Sequence, residues 1–358
     1  MIVYFSRMFQ AVQALAQVYD KTGGVFVSPR TSTLAAVRRT YPEIKVQRFS
    51  KRLPWFFQGN VAMKDADVIV TGSPYGRFLR PYNAKKCMVF HGTYMFFTPE
   101  AIEKNAHFDL LCVTGPRMQS MISRHPDINL NCVYTGYLPF AEYPERSNSL
   151  RQRKLLGLGL NPDNRTILYT PSRKSVGSFG VLADRLVQET PDHFNLIIRP
   201  HPSQSLNARV KDNLDFFRIS KRCKARGDAM LDRAGSKLSE LLAISDLIVS
   251  DANSPAEESL FYDLPQLMIE TSLHSRDKLY DMGVSSGIHI DDLEKIMQLY
   301  SCGESFSEGD ADLGAAIDRA LADKNVYSEA RKEYFEWVFG SRDRMAPERV
   351  ASAIRSLS

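Results

Sequence analysis

Short apolar runs rich in β-branched residues alternate along this chain with segments of helical period, and the alternation occurs twice. In the first half, GVFVS (24–28), IKVQRF (44–49), DVIVTG (67–72), KCMVFHGT (86–93), FDLLCVTG (108–115) and CVYTGY (132–137) have the character of buried strands. Helical segments fall between them at Thr31 to Tyr41, about Pro99 to Asn105, and PRMQSMISRH. The second half restarts the rhythm with RTILYTPS (165–172), FNLIIRPHP (194–202), FFRIS (216–220), DLIVSD (246–251) and QLMIE (266–270) as strands. VLADRLVQET (181–190), LSELLAI (238–244) and Pro255 to Tyr262 are its helices. A strand buried on both faces, followed each time by a helix, demands a parallel sheet covered on both sides. The expectation is therefore α/β, with two Rossmann-like domains facing a central cleft.

The Pro-bearing polar stretch 138–164 marks the linker. It separates an N-terminal domain over 1–145 from a C-terminal domain over 146–340, with 341–358 as a last helix packing back on the first domain. A chain of 358 residues has room for two such domains. No repeat of 20–50 residues interrupts the pattern.

Charge is divided unevenly. The formal net charge is +5, but residues 1–150 hold 18 Lys+Arg against 10 Asp+Glu, and residues 151–358 hold 28 against 31. A basic half joined to a near-neutral half suits an anionic partner for one domain. Nucleic acid is not expected, because no recognised binding motif accompanies the charge. Lys51 and Arg52 beside Trp55, Phe56 and Phe57 suit an anionic leaflet, although that aromatic cluster would serve equally well in a core. No run approaches 18 consecutive apolar residues. Five widely spaced cysteines without a CxxC pair, and an N-terminus without signal-peptide layout, point to a reducing, cytoplasmic setting.

In open parallel sheets, ligands bind beyond the carboxyl ends of strands. Four polar stretches occupy such positions. His91 follows an apolar run and precedes Gly92 and Thr93; an imidazole there can accept a proton from an attacking hydroxyl, and the glycine admits a ligand to the backbone. Ser172, Arg173 and Lys174 precede a loop with two glycines, a combination that suits phosphate oxygens without being a Walker motif. Arg199 and His201 sit among prolines that fix the backbone and aim the ring. Asp251, Asn253 and Ser254 stand ahead of Pro255 as an N-cap signature and are expected, with the helix start, to bind the donor phosphate, while Glu257 or Glu258 behind them offers acceptors for ribose hydroxyls. The other histidines lack strand-end positions and are assigned to structure or solvent. No HExxH or paired-histidine spacing occurs, so no metal or cofactor is expected to be held by the protein, and the sequence is silent on Mg²⁺.

In this order the motifs FHGT (90–93), TGYLP (135–139), YTPSRK (169–174), RPHP (199–202) and SDLIVSDANS (245–254) resemble those of the CDP-glycerol glycerophosphotransferases, the teichoic-acid primases and polymerases. The resemblance spans about residues 85 to 270, with an echo in FGSRDRMAPERV (339–350). Phe90 stands where that family has tryptophan, Ser172 where it has threonine, and Ala252-Asn253 where it has Tyr-Ser. The resemblance implies a GT-B architecture, with an acceptor and membrane-facing N-terminal domain and a nucleotide-donor C-terminal domain. It implies transfer of an alditol phosphate, most simply glycerol phosphate, from a CDP-alditol to a lipid-linked glycan or polyol-phosphate polymer, with release of CMP. His91 would be the general base, His201 would bind the transferred phosphate or assist the leaving group, and Ser254 would contact donor phosphate. Arg173, Lys174 and Arg199 would stabilise charge on that phosphate. The implied location is peripheral, on the inner face of a bacterial plasma membrane. NSPAEESLFYDLPQLMI is also similar to nucleotide-sugar GT-B enzymes, which makes a glycosyltransferase of cell-surface polysaccharide synthesis the alternative.

Overall fold

The computed structural model describes residues 1–358 apart from Pro54, Lys174, 207–209, Ala234, Asp323, Lys324 and Ser358; for Leu206 and Lys211 it describes the backbone alone. The chain divides into two compact units, the first comprising Met1–Glu142, Gly287–His289 and Glu336–Ser358, the second Tyr143–Ser286 and Ile290–Phe335.

Unit 1 is built on seven strands: β1 (Ile2–Phe5), β2 (Val25–Ser28), β3 (Val46–Arg48), β4 (Val68–Thr71), β5 (Lys85–Val89), β6 (Leu110–Val113) and β7 (Cys132–Tyr134). They lie in the order β3-β2-β1-β4-β5-β6-β7, and each pairing is parallel. β4 and β6 are buried throughout and β1 but for Ile2, which is why such strands read as continuous apolar runs rather than alternating ones. One face of the sheet packs on the helix Val12–Thr22, whose Val12, Leu15 and Val18 are buried. The last helix, Ala346–Arg355, closes the same core with Ala346, Val350 and Ile354. Lys21 and Glu348 pair at 2.7 Å, and Arg355 Nη2 donates to the Lys21 carbonyl at 2.7 Å.

Unit 2 has six strands: β8 (Arg165–Thr170), β9 (Phe194–Ile198), β10 (Ala229–Leu231), β11 (Leu247–Ser250), β12 (Gln266–Glu270) and β13 (Glu304–Ser307). Their order is β10-β9-β8-β11-β12-β13, again wholly parallel. In each sheet the order reverses at the first strand of the unit. The crevices beside that reversal, between β1 and β4 and between β8 and β11, are where a doubly wound sheet offers space to a ligand.

The strands depart from the sequence pattern in four places. FFRIS (216–220) is not a strand but the middle of the helix Val210–Arg226, where Phe216, Ile219 and Cys223 are buried at helical spacing. The third strand of that sheet is instead the three-residue β10, too short to carry a pattern. The strand between the two crossover halves of unit 1, β1, begins at the second residue and is four residues long, and β13 at the edge of the second sheet was not among the expected strands.

Ile354 is fully buried in the core shared by the last helix and Val12–Thr22. Its replacement by alanine is expected to cost about 2–5 kcal/mol of unfolding free energy, read as a lower denaturant midpoint.

Candidate functional site

In unit 1 the chain leaves β4 as Thr71-Gly72-Ser73-Pro74 and leaves β5 as Phe90-His91-Gly92-Thr93. These neighbouring strand ends bring His91 against Gly72, whose carbonyl accepts a hydrogen bond from the imidazole. A Cβ on Gly72 would lie 2.6 Å from the Ala11 Cβ and 3.3 Å from His91 Nδ1, so only glycine lets the turn meet the ring. Whichever ring nitrogen donates to Gly72, the other is left as an acceptor in the neutral ring. Burial pushes the His91 pKa below the ordinary histidine value, which favours that neutral form.

Tyr94 packs against this histidine, its hydroxyl 3.4 Å from Nδ1 and its ring edge-on at 6.0 Å between centroids. Its backbone is left-handed, with φ 50°, an uncommon state for an aromatic residue. Burial raises its hydroxyl to about 12, so it remains protonated as a hydrogen-bonding group. Thr93 is 1% exposed, and its carbonyl accepts from Arg117 Nη2 at 2.7 Å. The Arg117 guanidinium is itself buried over Trp337, 5.6 Å from its ring centroid. Thr93 therefore anchors the loop. Gly92 is partly exposed and, of the acceptor-side pair, the one open to an approaching group.

In unit 2 the switch-point crevice is tied together by Asp251, which has 0% exposure at the end of β11. Its Oδ2 accepts the backbone N–H of Ser172 at 2.5 Å and of Ser178 at 3.1 Å, closing the loop that follows β8. Gly177 sits inside that closed loop, where a Cβ would fall 2.2 Å from the Ser172 carbonyl oxygen. Asn253 adds a second tie: Nδ2 donates to the Thr170 carbonyl at 2.8 Å, while Oδ1 caps the next helix by accepting from Ala256 N–H at 3.1 Å. Ser254, partly exposed, is the first residue of that helix. Ser172 is itself buried, and its hydroxyl lies 3.4 Å from Asn253 Nδ2.

His201 follows β9 and heads the short helix Pro202–Leu206. Ser203 N–H donates to its Nδ1 at 3.2 Å, and Ser203 Oγ lies 2.7 Å from the same nitrogen. Nδ1 is thus the acceptor, and in the neutral ring the proton resides on Nε2. Burial, with a smaller push from the charge of Arg173, lowers the His201 pKa. Arg173 is exposed on the β8 loop. Lys174 lies outside the described residues.

Two sequence expectations are corrected by burial and pairing. Glu257 is 0% exposed and accepts from the Tyr334 hydroxyl at 3.1 Å; a carboxylate closed into the core cannot reach a ribose. Glu258 is partly exposed and takes the hydroxyl of Tyr143. Arg199 is tied to the Asp232 carboxylate and donates to the Ser236 carbonyl at 2.8 Å, so its guanidinium secures the loop after β10 rather than standing open to a phosphate. Sequence reasoning passed over Gly72, Tyr94 and the turn-forming role of His107, whose Nε2 lies 2.8 Å from the Pro74 carbonyl oxygen. The strand-end TGSP (71–74) was the available signal. Among the described residues, no group of three or more His, Cys, Asp or Glu side chains is placed to hold a metal ion.

The fold has solved counterparts. Over 99% of this chain it matches the wall teichoic acid polymerase TagF, covering 88% of that chain at 14% identity with a TM-score of 0.67. A further TagF structure, a histidine variant soaked with CDPG, matches at 13% identity and 0.65. HepE from Anabaena, in complex with UDP and glucose, matches over 99% of both chains at 13% identity and 0.58. A glycosyltransferase from Rickettsia africae covers 99% of this chain and 98% of its own, at 13% and 0.56. No family model and no curated protein matches the sequence. At such identities the likeness establishes the fold: two parallel α/β domains of the GT-B class.

Removing the Asp251 carboxylate leaves two buried N–H groups without an acceptor. Asp251→Ala is expected to lose about 2–4 kcal/mol of stability, measured by urea denaturation.

Proposed function

We propose that the chain is a transferase that moves a glycerol-phosphate or related alditol-phosphate unit from a CDP-alditol to a hydroxyl of a lipid-linked glycan or polyol-phosphate polymer. The observation that carries this is the opposite setting of two histidines. Neutral His91, which donates one ring N–H to the Gly72 carbonyl, keeps its other ring nitrogen as a proton acceptor, while His201 presents an Nε2–H, a donor. Such a pair, one acceptor for the attacking hydroxyl's proton and one donor to the phosphoryl oxygens, suits in-line transfer from a nucleoside diphosphate ester. His91 takes the proton of the acceptor hydroxyl on its open ring nitrogen as the hydroxyl oxygen attacks the phosphorus that carries glycerol. The bond from that phosphorus to the CMP oxygen breaks, CMP leaves, and a phosphodiester remains. His201 Nε2–H and the Arg173 guanidinium stabilise the charge gathered on the phosphoryl oxygens, and the Ser254 hydroxyl at the helix start adds a further contact. The five motifs shared with the glycerophosphotransferases support the CDP-alditol donor, as does the fold shared with TagF. The residues in these roles are the protein's own, and no protein-held metal is invoked.

The competing donor is a nucleotide sugar, which the fold shared with HepE supports. Incubation with CDP-glycerol and with UDP-, GDP- and CMP-sugars, scoring nucleotide release, separates the two. CMP release from CDP-glycerol is expected; turnover of a nucleotide sugar with none of CDP-glycerol would overturn the assignment. His91→Ala is expected to lower kcat by about 10²–10⁴. Both rings act in their neutral forms and both pKa values are lowered, so activity should hold as pH falls through 6.5 and drop only below it. An acid limb centred above 6.5 in the pH–rate profile would exclude these groups.

Among the described residues no helix is long and apolar enough to cross a membrane. We infer that a membrane-borne acceptor is met through the segment around Lys51–Phe57. Trp55 is 78% and Phe56 74% exposed, so these rings are not core residues, and exposed Lys51 and Arg52 flank them. Exposed rings beside cations suit the headgroup region of an anionic leaflet. The double variant Trp55→Ala/Phe56→Ala is expected to lose most flotation with vesicles containing phosphatidylglycerol while keeping its melting temperature. Equal flotation would refute the contact.

A further inference from the structure

Unit 2 contains a cavity of about 330 Å³ that the phosphate-directed residues do not occupy. It is lined by Gly177 and Val181 from the start of the helix after β8, Gln204 from the helix that His201 heads, Asp215 and Arg218 from Val210–Arg226, and Leu273 beyond β12. Its rim thus gathers residues beyond the carboxyl ends of three strands of one sheet.

Gln204 is the feature that asks for a ligand. It is 5% exposed, yet neither its Oε1 nor its Nε2 has a hydrogen-bond partner. Two unpaired polar atoms in a buried carboxamide are costly, and a native structure tolerates them where something else arrives to pair them. A carboxamide offers one acceptor and one donor side by side, which matches a planar ring bearing a donor beside an acceptor. The walls suit such a ring. Val181 and Leu273 are apolar and partly open to solvent, and the two charges are matched, Arg218 lying 3.5 Å from Asp215 and 3.0 Å from Asp184. A balanced, half-apolar cavity favours a neutral heterocycle over a phosphate.

The backbone ties the cavity to the proposed phosphate groups. Gln204 N–H donates to the His201 carbonyl at 2.9 Å, and Gly177 N–H to the Arg173 carbonyl at 2.8 Å. A group held by His201 and Arg173 is therefore one short loop away from Gln204 on both sides.

We propose that this cavity is the base-recognition pocket for a pyrimidine nucleotide: Gln204 pairs to the donor–acceptor edge of the base, an edge adenine also presents, and the choice of a pyrimidine rests on the nucleotide-donor chemistry proposed above. Cytosine offers N4–H and N3 to that carboxamide, and uracil offers N3–H and O4 once the amide is turned over. Gln204 is accordingly a binding residue that holds either pyrimidine and leaves the choice between them to other contacts.

The test uses the full chain and measures affinity for CMP, UMP, AMP and ribose 5-phosphate by calorimetry, in the wild type and in Gln204→Leu. Leucine keeps the bulk and removes both unpaired atoms, so the variant should melt no lower than the wild type. CMP and UMP should bind the wild type more tightly than AMP or ribose 5-phosphate. Q204L should weaken CMP and UMP by roughly tenfold or more, with ribose 5-phosphate unchanged. CMP bound equally by wild type and variant would overturn the pocket and leave the donor chemistry standing, and AMP bound as tightly as CMP would overturn its pyrimidine assignment. A wild-type chain that binds none of the nucleotides would overturn the pocket and the donor chemistry together.

Discussion

The buried carboxylate of Asp251 is the interaction on which the ligand-directed part of unit 2 depends. A parallel sheet places strand ends side by side but does not shape the loops that leave them. Here one charge with no exposed surface takes the N–H groups of Ser172 and Ser178 and thereby folds the β8 loop over the end of β11. Asn253 repeats the tie from the other direction through Thr170. Such charge-assisted bonds are stronger than neutral ones, and burial deprives water of any claim on them. The loop that bears Arg173 and the wall formed by Gly177 are consequences of that closure.

The histidines show how backbone groups can assign chemistry to identical side chains. His91 and His201 both end a strand, and burial lowers both pKa values. They differ in what the backbone offers the ring. A carbonyl at Gly72 accepts from one, and an N–H from Ser203 donates to Nδ1 of the other. Beyond that backbone tie one ring is left with an accepting nitrogen and the other with a donating one, and among the described residues no acidic side chain is bonded to either.

Much of the fold was legible because the central strands are buried on both faces. Val68–Thr71 and Leu247–Ser250 announce themselves as apolar runs, and the rhythm of run and helix implied parallel sheets. FFRIS misled because two adjacent aromatics beside an isoleucine satisfy a strand pattern over five residues, whereas only the longer window to Cys223 exposes the helical period. β10 was silent, being three residues long, and the edge strand β13 buries only Phe306 and so writes no apolar run; β1, an apolar run as long as β4, was passed over at the chain start. At the candidate site, residue types at strand ends marked His91, Arg173, His201 and Ser254, since that placement follows from local pattern alone. Glu257 and Arg199 could not be judged in the same way: whether a charged side chain faces solvent or the core depends on Tyr334 and Asp232, which are distant in sequence.

By itself the sequence determined the parallel α/β character of this protein, its doubled rhythm and the strand ends at which polar groups would collect, because burial on two faces writes itself into consecutive residues. Tertiary structure alone decided which of those groups are tied inward and which remain open. Asp251, Arg199 and Glu257 became internal ties, Trp55 and Phe56 were left in solvent, and Gln204 was buried without a partner. The physical reason is that a hydrogen bond or a desolvated charge is defined by its neighbours in space, and residues 79 positions apart, as Ser172 and Asp251 are, carry no local record of one another.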